Sequence, residues 1–287
     1  MTLETQINFC LEQALAFKAD DKCPPKLKAA LRHAVFPGGA HVRPKLCIAV
    51  ANACEPGADL SDAMAAATAL ELLHCASLVH DDLPCFDDAD QRRGKPTVHV
   101  KFSESLAVLT GDALIVLAFQ TLARRATTYF RELTLVMSDA TAPPNGIAAG
   151  QAWEDEAQVD LHAYHNSKTA ALFIAATRAG AVAVGANDHE WRALGENLGL
   201  AYQIADDLRD AVLSPQELGK PAKQDVRNCR PSAVESYGVG GTYRRLRDAI
   251  EAAASSVPAC AGTESLRQLI HAQAIRLTPE QLVQDVA

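Results

Sequence analysis

None of the eight cysteines, Cys10, Cys23, Cys47, Cys54, Cys75, Cys85, Cys229 and Cys260, stands in a Cys-x-x-Cys pair, which removes the usual zinc spacing. Cysteines scattered through apolar helical contexts behave as small hydrophobes and point to a reducing, cytoplasmic setting. Positive charge is also short. There are 27 Lys and Arg against 35 Asp and Glu, a formal net charge of −8. A nucleic-acid protein would carry a basic face, so nucleic acid is excluded as a partner. No run of about 18 apolar residues occurs, so no transmembrane segment is expected. The most apolar stretch, Leu106 to Phe119, is broken by Asp112. The first residues, Met1-Thr-Leu-Glu-Thr-Gln, lack a basic start and an apolar run, so no secretory leader is expected. Aromatics are only 5%, and alternation bounded by hairpin turns is scarce, which argues against sheet. No linker, internal repeat or low-complexity tract divides the chain. Length alone suggests about two domains, but one domain over residues 1–287 is the expectation.

What is present is helical periodicity in a chain that is 48% apolar. The spacing predicts helices over Leu3–Lys18, Pro25–Val35, Val42–Cys54, Ser61–His80, Ser103–Ala123, Thr127–Asp139, Gly146–Ala157, Leu161–Gly180, Asp188–Val212, Thr242–Ala254 and Ser265–Ile275. Asp188 is the expected N-cap of its helix. Pro37-Gly-Gly39, Pro56-Gly57, Ala142-Pro-Pro-Asn-Gly146 and Gly238-Val-Gly-Gly-Thr242 read as turns or loops. Val212–Ser236 reads as a lid or a plain connector. The expected fold is all-α, an antiparallel helix bundle around a central cavity.

Several helices are apolar almost all round, so their polar residues stand out. Glu71, His74, Ser77 and Asp81 recur at spacings of three or four and form one stripe. Gln203, Asp206, Asp207 and Asp210 form another, Gln151 and Asp155 a third, and Lys168-Thr169 interrupt a fourth helix. Two aspartate clusters dominate: Asp81-Asp82-Leu-Pro-Cys-Phe-Asp87 and Asp206-Asp207-Leu-Arg-Asp210. Carboxylates in an apolar setting need positive compensation. Facing clusters would hold hard divalent cations through oxygen, and such ions would let an acidic protein hold a diphosphate. Pro84 cannot continue the first helix, and a break there would bring Asp87 back towards Asp81. Arg92, Arg93 and Lys95 follow, with guanidinium forks suited to phosphate oxygens.

The run from His74 through Asp81-Asp82-Leu-Pro-Cys-Phe-Asp87 to Arg92-Arg93-Gly-Lys-Pro-Thr97 resembles the first aspartate-rich motif of the trans-isoprenyl diphosphate synthases. Ala201-Tyr-Gln-Ile-Ala-Asp-Asp-Leu-Arg-Asp210 resembles their second. Gly38-Gly39 with Arg43-Pro44, Gly111-Asp112, Gly150-Gln151, Lys168-Thr169 and Glu217-Leu-Gly-Lys-Pro221 follow in the family's order. Within that family the chain most resembles the bacterial geranylgeranyl diphosphate synthases of carotenoid pathways. The resemblance implies a homodimeric prenyltransferase. It would condense isopentenyl diphosphate with allylic diphosphates (dimethylallyl, geranyl, farnesyl) by ionisation, condensation and proton loss. Magnesium, with manganese as a substitute, would sit on Asp81, Asp82 and Asp87 and on Asp206, Asp207 and Asp210. Arg92, Lys168 and Lys220 would hold the allylic diphosphate. Arg43, His74 and Arg93 would hold isopentenyl diphosphate, and Thr169 and Gln203 would stabilise the cation region. The chain departs from the family at Ala40, where a lysine is usual, and Lys45 is the one nearby replacement. Lys223-Gln224-Asp225 replaces Gly-Lys-Asp, and a later family lysine stands as Arg230, which joins the substrate-binding set.

One helical turn rises about 5.4 Å, near one isoprene unit. Ala76 and Ser77 lie about a turn before Asp81, and Leu72 and Leu73 about two. In the resembling C15 enzymes an aromatic often fills the Ala76 position. The small residue here, with the two extra residues within Asp81–Asp87, predicts a C20 product, geranylgeranyl diphosphate, with Leu73 nearer the floor. The alternatives are a farnesyl diphosphate synthase and a non-catalytic subunit of a heteromeric synthase. Terpene cyclases and head-to-head condensing enzymes fit two Asp-Asp motifs less well.

Overall fold

The helix before the first aspartate cluster, α4 (Ser61–Asp81), is Ala- and Leu-rich, and most of its residues are buried. Such a rod must be covered on every side. The computed structural model describes residues 1–17, 22–36, 39–158, 160–213 and 233–277. In it, α4 packs against α3 (Val42–Cys54), α6 (Glu104–Arg125) and α10 (Ala171–Val182). The other core helix, α10, is buried along almost its whole length. It also meets α11 (Arg192–Val212) and α7 (Phe130–Thr141), and α12 (Ala233–Ser255) covers α11. Around these lie α1 (Leu3–Ala14), α2 (Pro25–Val35), α5 (Val98–Lys101), α8 (Ile147–Ala152), α9 (Leu161–His165) and α13 (Thr263–Leu277). Leu70, Leu72, Leu73, Leu114, Leu172 and Phe173 belong to one continuous core.

The ends of the helices follow local chemistry. Pro25 starts α2, where a missing N–H costs nothing. Ser103 caps α6 by accepting from Leu106 N at 3.2 Å. Asp62, buried near the start of α4, does more. Its carboxylate accepts from the backbone N–H of Thr127 (2.8 Å), Thr128 (3.0 Å) and Tyr129 (2.8 Å), just before α7. Three amide donors would lose their acceptor in Asp62→Ala. Buried unsatisfied donors cost about 1–3 kcal/mol each before relaxation, so a loss of about 3 kcal/mol is expected. Urea unfolding reads this; a change under about 1 kcal/mol would mean that water replaces the carboxylate.

The structure corrects several expectations. The long helix expected over Leu161–Gly180 is broken by a π-helical turn, Asn166–Ala170. The segment after α8 tightens into a 3-10 turn, Trp153–Asp155. Asp188 does not cap: Asn187 accepts from His189 N, and a 3-10 turn, Asp188–Trp191, precedes α11. The turn expected over 238–242 is present at Gly238 alone (φ 64°, ψ 167°), where two helices meet at a kink within α12; residues 239–242 are helical. Among the described residues strand is confined to a short hairpin, β1 (Gln91–Arg92) and β2 (Lys95–Pro96), in keeping with the all-α expectation. Among the described residues two helices, α4 and α6, are long and apolar enough to cross a membrane by length and composition alone, a test that buried core helices also pass. The apolar window of α4 is 72% buried inside the protein and that of α6 only 39%. Among the described cysteines none is in a disulfide. Burial pushes the Cys47 and Cys54 thiols up to about 12, as befits packing residues.

Candidate active site

At the C-terminal end of α4 the chain turns back on itself across Pro84. Asp87 N donates to Asp81 O at 2.9 Å, and Ala89 N to Asp82 O at 3.2 Å. The β1–β2 hairpin then returns Arg92 to the cluster. Its Nε and Nη2 donate to Asp82 Oδ1 at 2.9 and 2.5 Å, and Nη2 lies 3.7 Å from Asp81 Oδ2. Asp82 is 4% exposed. Burial pushes its carboxyl up to about 6; Arg92 pulls it down, and Asp81 and Asp87 add to the rise.

The second part of the site is the π turn. Its extra residue lets two neighbours serve two different helices. Lys168 Nζ reaches Asp81 Oδ1 of α4 at 3.6 Å, while Thr169 Oγ1 donates to Gln203 Oε1 of α11 at 2.7 Å. Gln203 Nε2 then donates to Asp207 Oδ1 at 2.9 Å. The two aspartate clusters are thus joined by adjacent residues of one turn. Glycine makes this packing feasible: a Cβ on Gly150 would come within 2.3 Å of Lys168 N, and one on Gly199 within 2.5 Å of Ala170 Cα. Glu154 is a site residue that the sequence reading missed. Its carboxylate pairs with Lys168 and accepts from Gln151 Nε2 (3.0 Å) and the Tyr164 hydroxyl (2.8 Å). The stripe that pointed to Asp155 is displaced by the 3-10 turn, which leaves Asp155 exposed. The one signal for Glu154 was its place three residues after Gln151.

A third group lies on α3 and the middle of α4. Arg43 places its guanidinium carbon over the Phe173 ring, 4.5 Å from its centroid, and donates from Nη1 to His74 Nε2 at 3.3 Å. Arginine cannot accept, so His74 carries its proton on Nδ1. Burial first, then Arg43, Arg93 and Arg92, hold this imidazole well below the usual histidine range. Towards Arg43, His74 is therefore a neutral acceptor, and its Nε2 orients the guanidinium. Glu71, 2% exposed, faces His41 Nδ1 at 3.1 Å and supplies the buried negative charge for this cluster. Arg43 Nε is buried with no hydrogen-bond partner among the described residues, as an anion-binding group would be. Arg93 reaches the same region: a Cβ on Gly39 would lie 2.8 Å from Arg93 Nη2. Lys45 does not replace the lysine absent at Ala40, because its Nζ is bound to Glu4 Oε2 of α1 at 3.0 Å.

Asp206 is exposed, while Asp207 and Asp210 are buried. Asp207 has a further task, since its Oδ2 accepts from Ala233 N at 2.8 Å and ties α11 to the start of α12. Ala76 and Leu73 are buried in the core, and the Ser77 hydroxyl donates to His74 O at 2.9 Å. Lys220, Arg230, Cys229 and most of the expected lid over Val212–Ser236 lie outside the described residues. Oxygen donors on buried carboxylates suit a hard divalent cation. Among the described residues no three His, Cys, Asp or Glu side chains converge tightly enough to hold one ion. The charges standing on Asp81 and Asp82 are Lys168 and Arg92. Each is a cation that a metal ion could displace towards a phosphate, so the donor set fits such a group.

An all-α bundle with two aspartate clusters joined across its core defines the isoprenoid-synthase class of fold. Residues 24–262 match the model of the polyprenyl synthetase family. The chain is 51% identical to the geranylgeranyl diphosphate synthase of Cereibacter sphaeroides, over 98% of this chain and 99% of that one. It is 48% identical to that of Rhodobacter capsulatus, over 96% of each. Among solved structures, it is similar to the geranyltransferase of Helicobacter pylori complexed with magnesium and isoprenyl diphosphate. There the TM-score is 0.83 with 27% identity, over 96% of both chains. The chain therefore belongs to the polyprenyl synthetase family.

Proposed function

We propose that this protein is a magnesium-dependent prenyltransferase that joins isopentenyl diphosphate to allylic diphosphates and makes geranylgeranyl diphosphate. The observation that carries it is the link from Arg92–Asp82 through Asp81–Lys168 and Thr169–Gln203 to Asp207. It sets cations and carboxylates side by side, as a diphosphate held through metal ions requires. The names and near-complete coverage of the two bacterial relatives support the product.

Asp81, Asp82 and Asp87 on one side, and Asp206 and Asp210 on the other, would hold the metal, with Asp207 also fixing Gln203 and α12. Magnesium, when bound, supplies Lewis-acid neutralisation of the leaving diphosphate. Arg92 and Lys168 bind that diphosphate once released from their carboxylates. Arg43, oriented by His74 and Phe173, and Arg93 bind isopentenyl diphosphate. Thr169 and Gln203 offer neutral oxygens where positive charge develops. We assign the reaction to the cytoplasm, and the product to carotenoid precursors. The chain acts as one domain and as a homodimer. On α6, Val108, Leu109 and Val116 are 43%, 53% and 65% exposed, an apolar face suited to a second copy. A sedimenting mass of one chain would overturn the dimer.

Purified protein, incubated with magnesium, isopentenyl diphosphate and each allylic starter in turn, should give a C20 diphosphate by mass spectrometry. Chelation should abolish it. A C15 product would keep the chemistry and refute the product assignment; no product from any starter would favour the non-catalytic subunit.

A further inference from the structure

His33 lies in the last turn of α2, outside every motif that marks the site. Its Nε2 is 2.7 Å from the carbonyl oxygen of Pro96. A carbonyl only accepts, so Nε2 carries the proton. Nδ1 is then a bare acceptor, and Lys101 Nζ donates to it from 3.1 Å. The ring also meets Phe102 edge-on, with centroids 5.8 Å apart. One neutral imidazole in one tautomer therefore joins α2, β2 and the end of α5.

The consequence lies on the far side of the hairpin. Pro96 pairs with Gln91, and Lys95 with Arg92. The turn between the strands is Arg93-Gly94, both at positive φ (54° and 72°), as two-residue hairpin turns require. Arginine is strained there, and two residues per strand give little cohesion of their own. Yet this hairpin aims Arg92 at Asp82 and Arg93 at Gly39. A cavity of about 50 Å³ lies between His33 and Asp82, Arg92 and Arg93. His33 reaches the arginines through backbone, not by contact.

We propose that His33 is a positioning residue: by holding Pro96 it fixes the hairpin and so the aim of Arg92 and Arg93 at diphosphate. The inference rests on the prenyltransferase reading for its substrate, but not for its anion. His33→Phe keeps a ring against Phe102 and removes both nitrogens. His33→Gln restores one donor and one acceptor. The expected result for His33→Phe is a KM for isopentenyl diphosphate raised about tenfold, the worth of roughly one hydrogen bond. kcat should change less than KM, and the melting temperature by little. With magnesium present, affinity for inorganic pyrophosphate, measured by calorimetry, should fall by a similar factor. His33→Gln should recover most of both. Unchanged KM and pyrophosphate affinity in folded His33→Phe would overturn the proposal, as would equal losses in both variants. If the wild type binds pyrophosphate but makes no prenyl product, the prenyltransferase reading fails, and the pyrophosphate arm still decides the role of His33.

Discussion

Asp81→Ala and Asp206→Ala should each lower turnover by about a thousandfold while the protein stays folded. Under the proposed function, removing one carboxylate from a site that would hold divalent cations forfeits several kcal/mol of charge stabilisation, and about 4 kcal/mol corresponds to that factor. Asp206 is the cleaner probe, because it is exposed on α11 and its loss should cost little stability. Asp81 lies between Arg92 and Lys168, so its loss also leaves two cations less well paired. Steady-state kinetics at saturating magnesium, with circular dichroism as the fold control, reads both. Near-normal turnover in either folded variant would break the metal model. Asp82 gives the same idea a pH signature. Its carboxyl is pushed up to about 6, mainly by burial, against about 3.9 in the unfolded chain. Between those values the folded chain holds a proton that the unfolded chain has lost. Stability from this group therefore falls as pH rises from about 4 to about 6, and stays lost above. A bound cation favours the carboxylate, so the rise in melting temperature on adding magnesium should be larger at pH 7.5 than at pH 5. An equal rise at both would detach Asp82 from the metal.

The parts of this site that were legible in the sequence are those with a high physical cost. Carboxylates at 81, 82, 206, 207 and 210 inside apolar helices needed an explanation, and the three-and-four spacing of Glu71, His74, Ser77 and Asp81 put them on one face of α4. The structure gives Glu71 to His41 and His74 to Arg43, partners that no spacing along α4 could name. The π turn was hidden because one extra residue hardly alters a helical pattern, yet it lets Lys168 and Thr169 face different helices. The hairpin at 91–96 was too short to show alternation, though Arg93-Gly94 is a turn signal. Asp207 illustrates the remaining gap. Its motif suggested a metal ligand, while its bond to Ala233 N, 26 residues on, is a tertiary contact invisible to a local reading. The glycines at 240 and 241 misled in the other direction: packing of α12 on α11 and α13 overrides their low helix propensity.

Ala76→Tyr should move the main product from geranylgeranyl to farnesyl diphosphate, lowering the C20 to C15 ratio by at least about tenfold, which takes only about 1.4 kcal/mol of discrimination. Ala76 is 1% exposed and lies on the helix that ends at Asp81, five residues before it. A tail growing from the metal-bound diphosphate along α4 would meet a phenol ring there about one isoprene unit early. The neighbouring Ser77 offers no such block, since its hydroxyl is turned back to its own helix. Interiors packed to crystal density tolerate added volume poorly, and a tyrosine here should cost about 1–3 kcal/mol in stability. Unfolding of the variant must therefore be measured beside its products. The decisive comparison is between starters. Folded Ala76→Tyr should still extend dimethylallyl and geranyl diphosphate, because the metal and diphosphate contacts are untouched. It should lose farnesyl diphosphate as a starter, because that chain already reaches the new floor. Leu73→Ala, nearer the far end of the same path, should act in the opposite sense and allow products beyond C20. A folded Ala76→Tyr protein that still makes C20 from every starter would place the floor on another helix, with α10 the first to test because it is buried and packs against α4.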